Sequence, residues 1–263
     1  MSEANDAINV PVAAPIDTDS AGRGGDVAIQ SVFRVICQAT NSQGTGFLHK
    51  SGNIITAEHV VRGCAQPTIF LASGSMIFCN TLASDNERDI SVLKPAVTIT
   101  GTPLSISSRE DFTVGTQVST WGFPGGYFGV SPMLSVGYLS GIDGIRTASG
   151  TVIRQWVVNA AFNSGNSGGP LLHIETGEVI GVVSSKLAPI TQETAAILTA
   201  LETQNSGFTY NATLPNGTTT TFTEGQLIGK VLNELRRQVQ LVIGKAVLTG
   251  DLRNFLISQK IDP

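Results

Sequence analysis

A mainly β fold, a barrel or a sandwich carrying a helical C-terminal extension, is predicted by three observations. Between residues 31 and 184 the sequence breaks into eleven short runs rich in Val, Ile, Phe and Thr, each bounded by turn residues. The 263 residues include 29 glycines and 11 prolines but only 14% charged residues, against roughly 25% in ordinary globular proteins, which suits many strands joined by tight turns. A helical period of apolar residues appears only after Leu187. The apolar fraction of 41% suffices to bury a sizeable core at this length and argues against global disorder.

Each element follows from local pattern. Residues 1–25 are Ala, Asp, Asn, Pro and Gly without periodicity and end in Ala-Gly-Arg-Gly-Gly, which predicts a flexible N-terminal arm. Residues 26–190 form the β domain, with runs at Ser31–Ala39, Gly46–His49, Asn53–Ala57, Pro67–Ala72, Met76–Cys79 and Ile90–Leu93. Further runs follow at Gln117–Gly122, Leu134–Ser140, Ile153–Asn159, Pro170–Ile174 and Val179–Ser184. No repeat of solenoid or propeller length is visible. Residues 191–263 form the extension. Thr191–Thr203 reads as a short helix with Thr191 and Thr194 close to a capping-box pattern, and the stretch around Pro-Asn-Gly reads as a hairpin of Asn211–Leu214 with Thr218–Phe222. From Glu224 to about Leu248, Ile228, Val231, Leu232, Leu235, Val239, Val242, Ile243, Ala246 and Val247 recur at steps of three and four, predicting one amphipathic helix about 25 residues long. Thr249-Gly250 stops it, and Asp251 caps a last short helix through Ser258. A helix of that length is either packed across the β domain or used in self-association.

The charge balance narrows the partners. With 16 Lys and Arg against 20 Asp and Glu and no block of five like charges, the chain lacks the basic footprint that neutralising nucleic-acid phosphates demands. No run approaches the roughly 18 uncharged apolar residues of a membrane span, and Met1–Val10 has neither a basic start nor an apolar core, so a soluble protein without a secretory signal is expected. Cys37, Cys64 and Cys79 are odd in number and contain no CxxC, which argues against a metal cluster and predicts reduced, partly buried thiols, with a Cys37–Cys64 or Cys64–Cys79 bridge as the alternative.

Three segments carry chemistry: Ile55-Thr56-Ala57-Glu58-His59, Arg88-Asp89-Ile90-Ser91-Val92-Leu93-Lys94 and Gly165-Asn166-Ser167-Gly168-Gly169-Pro170. Nucleophilic catalysis by a hydroxyl needs a base to take its proton, a carboxylate to fix the tautomer of that base, and amide donors facing the developing oxyanion. The three segments supply one of each. Ser167 lies among glycines that permit a tight turn with converging amides. Taken singly, GNSGGP is compatible with an ordinary turn, His59 with a core histidine and Asp89 with a strand-end carboxylate. Of the rival candidates, His49 and His173 lack the Thr-Ala-x-His setting, and Asp85 lacks the apolar strand that follows Asp89.

In these residues the chain resembles the chymotrypsin-like serine proteases, and among them the bacterial HtrA/Deg-type branch. The resemblance rests on GTGF (Gly44–Phe47), TAEH (Thr56–His59), DISVLK (Asp89–Lys94) and GNSGGP (Gly165–Pro170), in the family's His, Asp, Ser order, and covers roughly residues 28–186. It implies two six-stranded β-barrels with the site between them. It further implies Ser167 as nucleophile, His59 as general base and then acid, Asp89 orienting His59, and an oxyanion hole in the turn Gly165, Asn166 and Ser167 built from the amides of Gly165 and Ser167. The activity implied is that of a serine endopeptidase working on protein or peptide substrates through an acyl-enzyme, with no cofactor and no metal. The same branch implies a bacterial source, and without a signal the expected compartment is the cytoplasm.

Where the chain departs from the family, the departures carry information. Asn166 stands where digestive members carry the aspartate that pairs with a freed N-terminus, so activation by that route is not expected. Only about 75 residues follow Leu187, and they read as a hairpin and helices where the HtrA pattern continues into a PDZ domain. The resemblance places the primary pocket at Ala161 and Phe162, with Val183, Ser184 and Ser185 opposite. With no acidic residue at its base, that pocket would leave a cationic side chain unpaired, so a small or medium apolar residue before the cut is expected. Lys186 reads as solvated rim, and the sequons at Asn211 and Asn216 as a polar hairpin. Two other readings stay open: a protease-like scaffold that binds or regulates, and a latent protease gated by its C-terminal helices, with homo-oligomerisation through the long helix.

Overall fold

Twelve strands close into two six-stranded barrels, and the chain adds a helix and a hairpin unit to them. The structure, a computed structural model, describes residue 27 and residues 30–147, 149–184, 191–213, 217–238 and 243–263. The predicted N-terminal arm, Ser185, Lys186 and Asn216 lie outside the described residues.

The first barrel uses β1 (Val32–Cys37), β2 (Ser42–Leu48), β3 (Ile54–Thr56), β4 (Thr68–Phe70), β5 (Met76–Asp85) and β6 (Ile90–Pro95), ordered β1-β2-β3-β6-β5-β4. Strand alternation does the sorting: Phe33, Val35 and Cys37 point into the barrel with Ile54, Ile69 and Leu93, while Val32, Phe47, Ile55 and Val92 point out and are buried against the second barrel. The second barrel uses β7 (Gln117–Gly122), β8 (Met133–Arg146), β9 (Val152–Asn159), β10 (Pro170–His173), β11 (Val179–Val183) and β14 (Gly244–Leu248), ordered β10-β11-β14-β9-β8-β7. Trp156 fills its core among Val118, Leu171, Ile180 and Val183, and the indole N–H donates to the Ile180 carbonyl at 3.1 Å.

The double barrel is the predicted chymotrypsin-like architecture, and all eleven apolar runs are strands. The twelfth strand corrects the reading of the extension. Of the predicted helix over 224–248, Glu224–Gln238 is helical, residues 239–242 lie outside the described residues, and Gly244–Leu248 is the strand that closes the second barrel, pairing Val182 with Val247 on one side and Trp156 with Ala246 on the other. Barrel formation therefore draws on residues beyond 190. Thr249 and Gly250 begin the next helix instead of ending one, and Asp251 lies in its first turn without capping it. That helix, α4 (Thr249–Ser258), buries Leu252, Phe255 and Leu256 in the cluster between the barrels.

Between β11 and β14 the chain forms α2 (Gln192–Thr203), the hairpin β12 (Thr209–Thr213) with β13 (Thr219–Thr223), and α3 (Glu224–Gln238). The Thr191 side chain accepts from the Thr194 amide at 3.1 Å, so the predicted start of α2 holds. A reciprocal capping box opens α3: the Thr223 hydroxyl accepts from the Gln226 amide at 3.3 Å, and the Gln226 side chain accepts from the Thr223 amide at 3.1 Å. Leu227, Ile228, Val231, Leu232 and Leu235 of α3 are exposed.

The cysteine expectation is also corrected. Cys37 and Cys64 form a disulfide, the first of the two alternatives, while Cys79 is a buried free thiol whose pKa burial pushes up to about 11.

Candidate active site

β3 leaves the first barrel at Thr56 and runs into a single helical turn, α1 (Glu58–Val61). Val60 and Val61 anchor this turn in the barrel core, and the Cys37–Cys64 bridge fixes the chain just beyond it. His59 is left at the surface of the barrel with its side chain 33% exposed.

Asp89 occupies the turn between β5 and β6 with φ 58°, a left-handed conformation that aspartate tolerates better than most residues. Its neighbours are spent elsewhere. Asp85 accepts the Arg88 amide at 2.9 Å and its guanidinium at 2.7 Å, and Arg88 also reaches Asp251 of α4 at 3.4 Å. Asp89 is free to face His59. It accepts the His59 backbone N–H at 2.9 Å, and the His59 Nδ1 lies 2.9 and 2.8 Å from its two oxygens. An ionised carboxylate has no proton to give, so Nδ1 is the donor, and in the neutral imidazole this tautomer leaves Nε2 as the acceptor. A third donor, the Ser184 hydroxyl, reaches Oδ2 at 2.5 Å. Burial to 5% exposure would raise the pKa of Asp89, but the hydrogen bonds and charge of His59 and the bond from Ser184 outweigh it and hold the carboxyl below the usual carboxylate range.

Ser167 lies on the loop between β9 and β10 and is 3% exposed. Two glycines shape that loop, Gly165 at φ 98° and Gly168 at φ 84°, conformations that favour glycine. The Gly168 amide donates to the Val183 carbonyl at 2.7 Å, the Val183 amide to the Gly169 carbonyl at 2.9 Å, and the Thr45 amide to the Ser167 carbonyl at 2.8 Å. A side chain at Gly168 would begin 2.2 Å from the Thr45 carbonyl and 2.5 Å from the Ala57 amide. The loop thus lies flat against the segment that leads into His59, with Ser184 one residue beyond its other contact. The Asn166 amide caps back onto the Asn163 carbonyl at 3.0 Å, and its side chain is turned inward, 3.5 Å from the Ala161 carbonyl.

Of the rival histidines, His49 is buried with its Nδ1 2.9 Å from the Ser51 hydroxyl, and burial together with Lys50 lowers its pKa to about 4 against the opposing pull of Asp262. His173 bonds Thr176 at 3.1 Å and packs at a tilt against Phe112. Both serve their own strand ends. Among the predicted pocket residues, Ala161 is half-buried, and the Phe162 ring is buried in the space that a side chain at Gly244 would need. The Val183 side chain is in the barrel core and that of Ser184 is on Asp89, so these two face any pocket only through their backbone. The link from Ser184 to Asp89 has no signature in the sequence, because it arises from contact between the barrels, and Thr45 beneath the serine loop is marked only as part of GTGF. Among the described residues, no three His, Cys, Asp or Glu side chains converge as metal ligands, and no helix is long and apolar enough to cross a membrane.

The chain matches the trypsin-like peptidase domain over residues 44–182. Protease Do-like 1, chloroplastic, of Arabidopsis thaliana is 31% identical over 161 residues, which is 59% of this chain and 35% of that protein. The serine protease Do-like HtrA of Bacillus subtilis is 31% identical over 156 residues, 56% of this chain and 34% of that protein. The probable periplasmic serine endoprotease DegP-like of Halomonas elongata is 34% identical over 145 residues, 54% of this chain and 29% of that protein. This chain therefore spans about a third of the length of these curated relatives. Among solved structures, the active form of the Rv3671c protease from M. tuberculosis has the same fold, with a TM-score of 0.60 at 18% identity, covering 100% of this chain and 95% of that one. Through its matched core and its paired six-stranded barrels, the chain belongs to the trypsin-like peptidase family and stands with its HtrA-type members.

Proposed function

We propose that the chain is a serine endopeptidase in which Ser167, His59 and Asp89 act together. The observation that carries the reading is the His59 imidazole, held through Nδ1 on both oxygens of a buried carboxylate so that Nε2 is left as the base. Nε2 takes the Ser167 hydroxyl proton as the oxygen attacks the scissile carbonyl carbon, and the negative oxygen that develops is received by the amides of Gly165 and Ser167. Collapse breaks the C–N bond, the amine leaves with the proton from His59, and an acyl-enzyme on Ser167 remains. Water then repeats the sequence in reverse, with His59 again taking and returning the proton. Asp89 keeps the tautomer and stabilises the imidazolium without being protonated itself. The substrate is a protein or peptide segment. The Ala161–Phe162 segment, which carries no acidic side chain, favours a small or medium apolar residue before the cut.

A fluorophosphonate probe tests the reading. Folded wild type should be labelled, and Ser167→Ala and His59→Ala should lose the label; folded wild type that stays unlabelled at neutral pH overturns it.

A further inference from the structure

The first barrel reaches across to the second at one cross-strand pair. Arg34 of β1 lies opposite Thr45 of β2, and both side chains project from the face turned away from the core of Phe33 and Val35. The Thr45 hydroxyl accepts from the Phe123 amide at 3.1 Å and donates to the Gly165 carbonyl at 2.6 Å. Nη2 of Arg34 donates to the Tyr127 carbonyl at 3.0 Å and the Gly129 carbonyl at 2.7 Å, and the guanidinium sits 4.9 Å from the centre of the Phe123 ring. Residues 123–129, the first part of the link from β7 to β8, are thus gripped at both ends by the other barrel.

The held segment abuts the peptide between Ser164 and Gly165. The Gly125 amide donates to the Ser164 carbonyl at 2.5 Å, and the Phe123 carbonyl oxygen lies 2.3 Å from where a side chain at Gly165 would begin. Across a planar trans peptide the C=O and the following N–H point in opposite directions. Fixing the Ser164 carbonyl on Gly125 therefore fixes the direction of the Gly165 N–H, one of the two donors assigned above to the oxyanion.

We propose that Arg34 is a positioning residue for the oxyanion hole. It holds the 123–129 segment so that Gly125 keeps the Ser164–Gly165 peptide turned with its N–H toward the reacting carbonyl. Without the guanidinium, two carbonyls lose charge-assisted donors, the segment relaxes, and the peptide is released to rotate. The inference rests on the serine protease reading.

Two variants test it. Arg34→Met keeps an apolar stem on Phe123 and removes both donors, whereas Arg34→Lys keeps a cation able to serve one carbonyl. For each, fluorophosphonate labelling rate, kcat and KM on a peptide anilide with alanine before the cut, affinity for a peptide boronate whose oxygen enters the hole, and Tm are measured. Peptide affinity is measured in parallel in the Ser167→Ala background. Loss of one oxyanion donor costs about 10²–10³-fold in kcat, so partial misplacement should cost Arg34→Met about 10–100-fold in kcat, labelling and boronate affinity together. KM and peptide affinity should stay within about twofold, and Arg34→Lys should recover part of the rate. Labelling of Arg34→Met at the wild-type rate overturns the inference alone, as does a fall in which peptide affinity and Tm drop along with kcat. If Arg34→Met does not fold, Arg34→Lys decides by the same comparison: kcat and boronate affinity lowered together support the inference, and both unchanged overturn it. Wild type inert to the probe overturns the protease reading and this inference with it.

Discussion

Ser184→Ala removes one of the three donors to Asp89 at a site where water has little access. The Ser184 hydroxyl and the Asp89 carboxylate are 1% and 5% exposed, and their bond is 2.5 Å long. A hydrogen bond to a charged group contributes about 1.5–3 kcal/mol, so the variant should lose about 2 kcal/mol, or roughly 4–8 °C in Tm for a protein of this size. The sign with pH follows from the depressed pKa of Asp89. Its stabilisation is present above the unfolded carboxylate value of about 3.9 and is lost as pH falls through the lower folded value, so the gap between wild type and Ser184→Ala should be full at pH 7 and narrow only as pH falls through that depressed folded value. Urea unfolding of wild type, Ser184→Ala, Asp89→Ala and the double variant at pH 7 isolates the pair. The expected coupling is at least about 1 kcal/mol, within the range found for residues sharing one network. Additivity within about 0.5 kcal/mol in this cycle refutes the argument that Ser184 acts through the Asp89 charge.

Three further outcomes are expected. Gly168→Ala combines a φ of 84° with a Cβ about to collide with two backbone atoms, and should lower the urea midpoint by an amount equivalent to more than about 3 kcal/mol; a loss under 1 kcal/mol would contradict the packing described. Reduction of Cys37–Cys64, which are 27 residues apart, should cost about 3–4 kcal/mol by the loop-entropy relation, read as a shift in urea midpoint with and without reductant. Phe162→Ala should broaden cleavage of a peptide library toward larger apolar residues before the cut, with the other positions unaffected; an unchanged profile removes Phe162 from the pocket wall.

The eleven strands were legible because Val, Ile and Phe alternate between turn residues, and because each strand buries one or both faces. β5 and β8 run well past their apolar runs, into stretches such as Thr81–Asp85 and Gly141–Arg146, because cross-strand pairing continues where hydrophobicity stops. Gly244–Leu248 was misread because Ile243, Ala246 and Val247 fit a helical step as well as a strand. Pairing with Gly181–Val183 and Gln155–Val158 decided it, at a distance no local pattern reports. Gly244 was the available hint, since glycine inside a helix costs about 1 kcal/mol. At the candidate site the histidine and aspartate could be named from their flanks. Arg34 could not, and Ser184 was read only as pocket wall and not as a donor to Asp89, because each acquires its partners only when the barrels meet.

The closing strand of the second barrel also changes what the helix and hairpin unit is. The Ser184 amide donates to the Lys245 carbonyl at 2.9 Å, so the chain leaves the barrel and re-enters it at adjacent points in one ladder. Loop-closure entropy rises by only about 0.6 kcal/mol for each doubling of length, so a barrel can carry such a cassette, or lose it, at small thermodynamic cost. Truncation from residue 224 onward would take away a barrel strand and α4, and with them the framework that holds Asp251 against Arg88. Excision of the cassette, with a short turn joining Ser184 to Gly244, would leave both in place, so the barrel's closure and the cassette are separable in the chain although the cassette interrupts it.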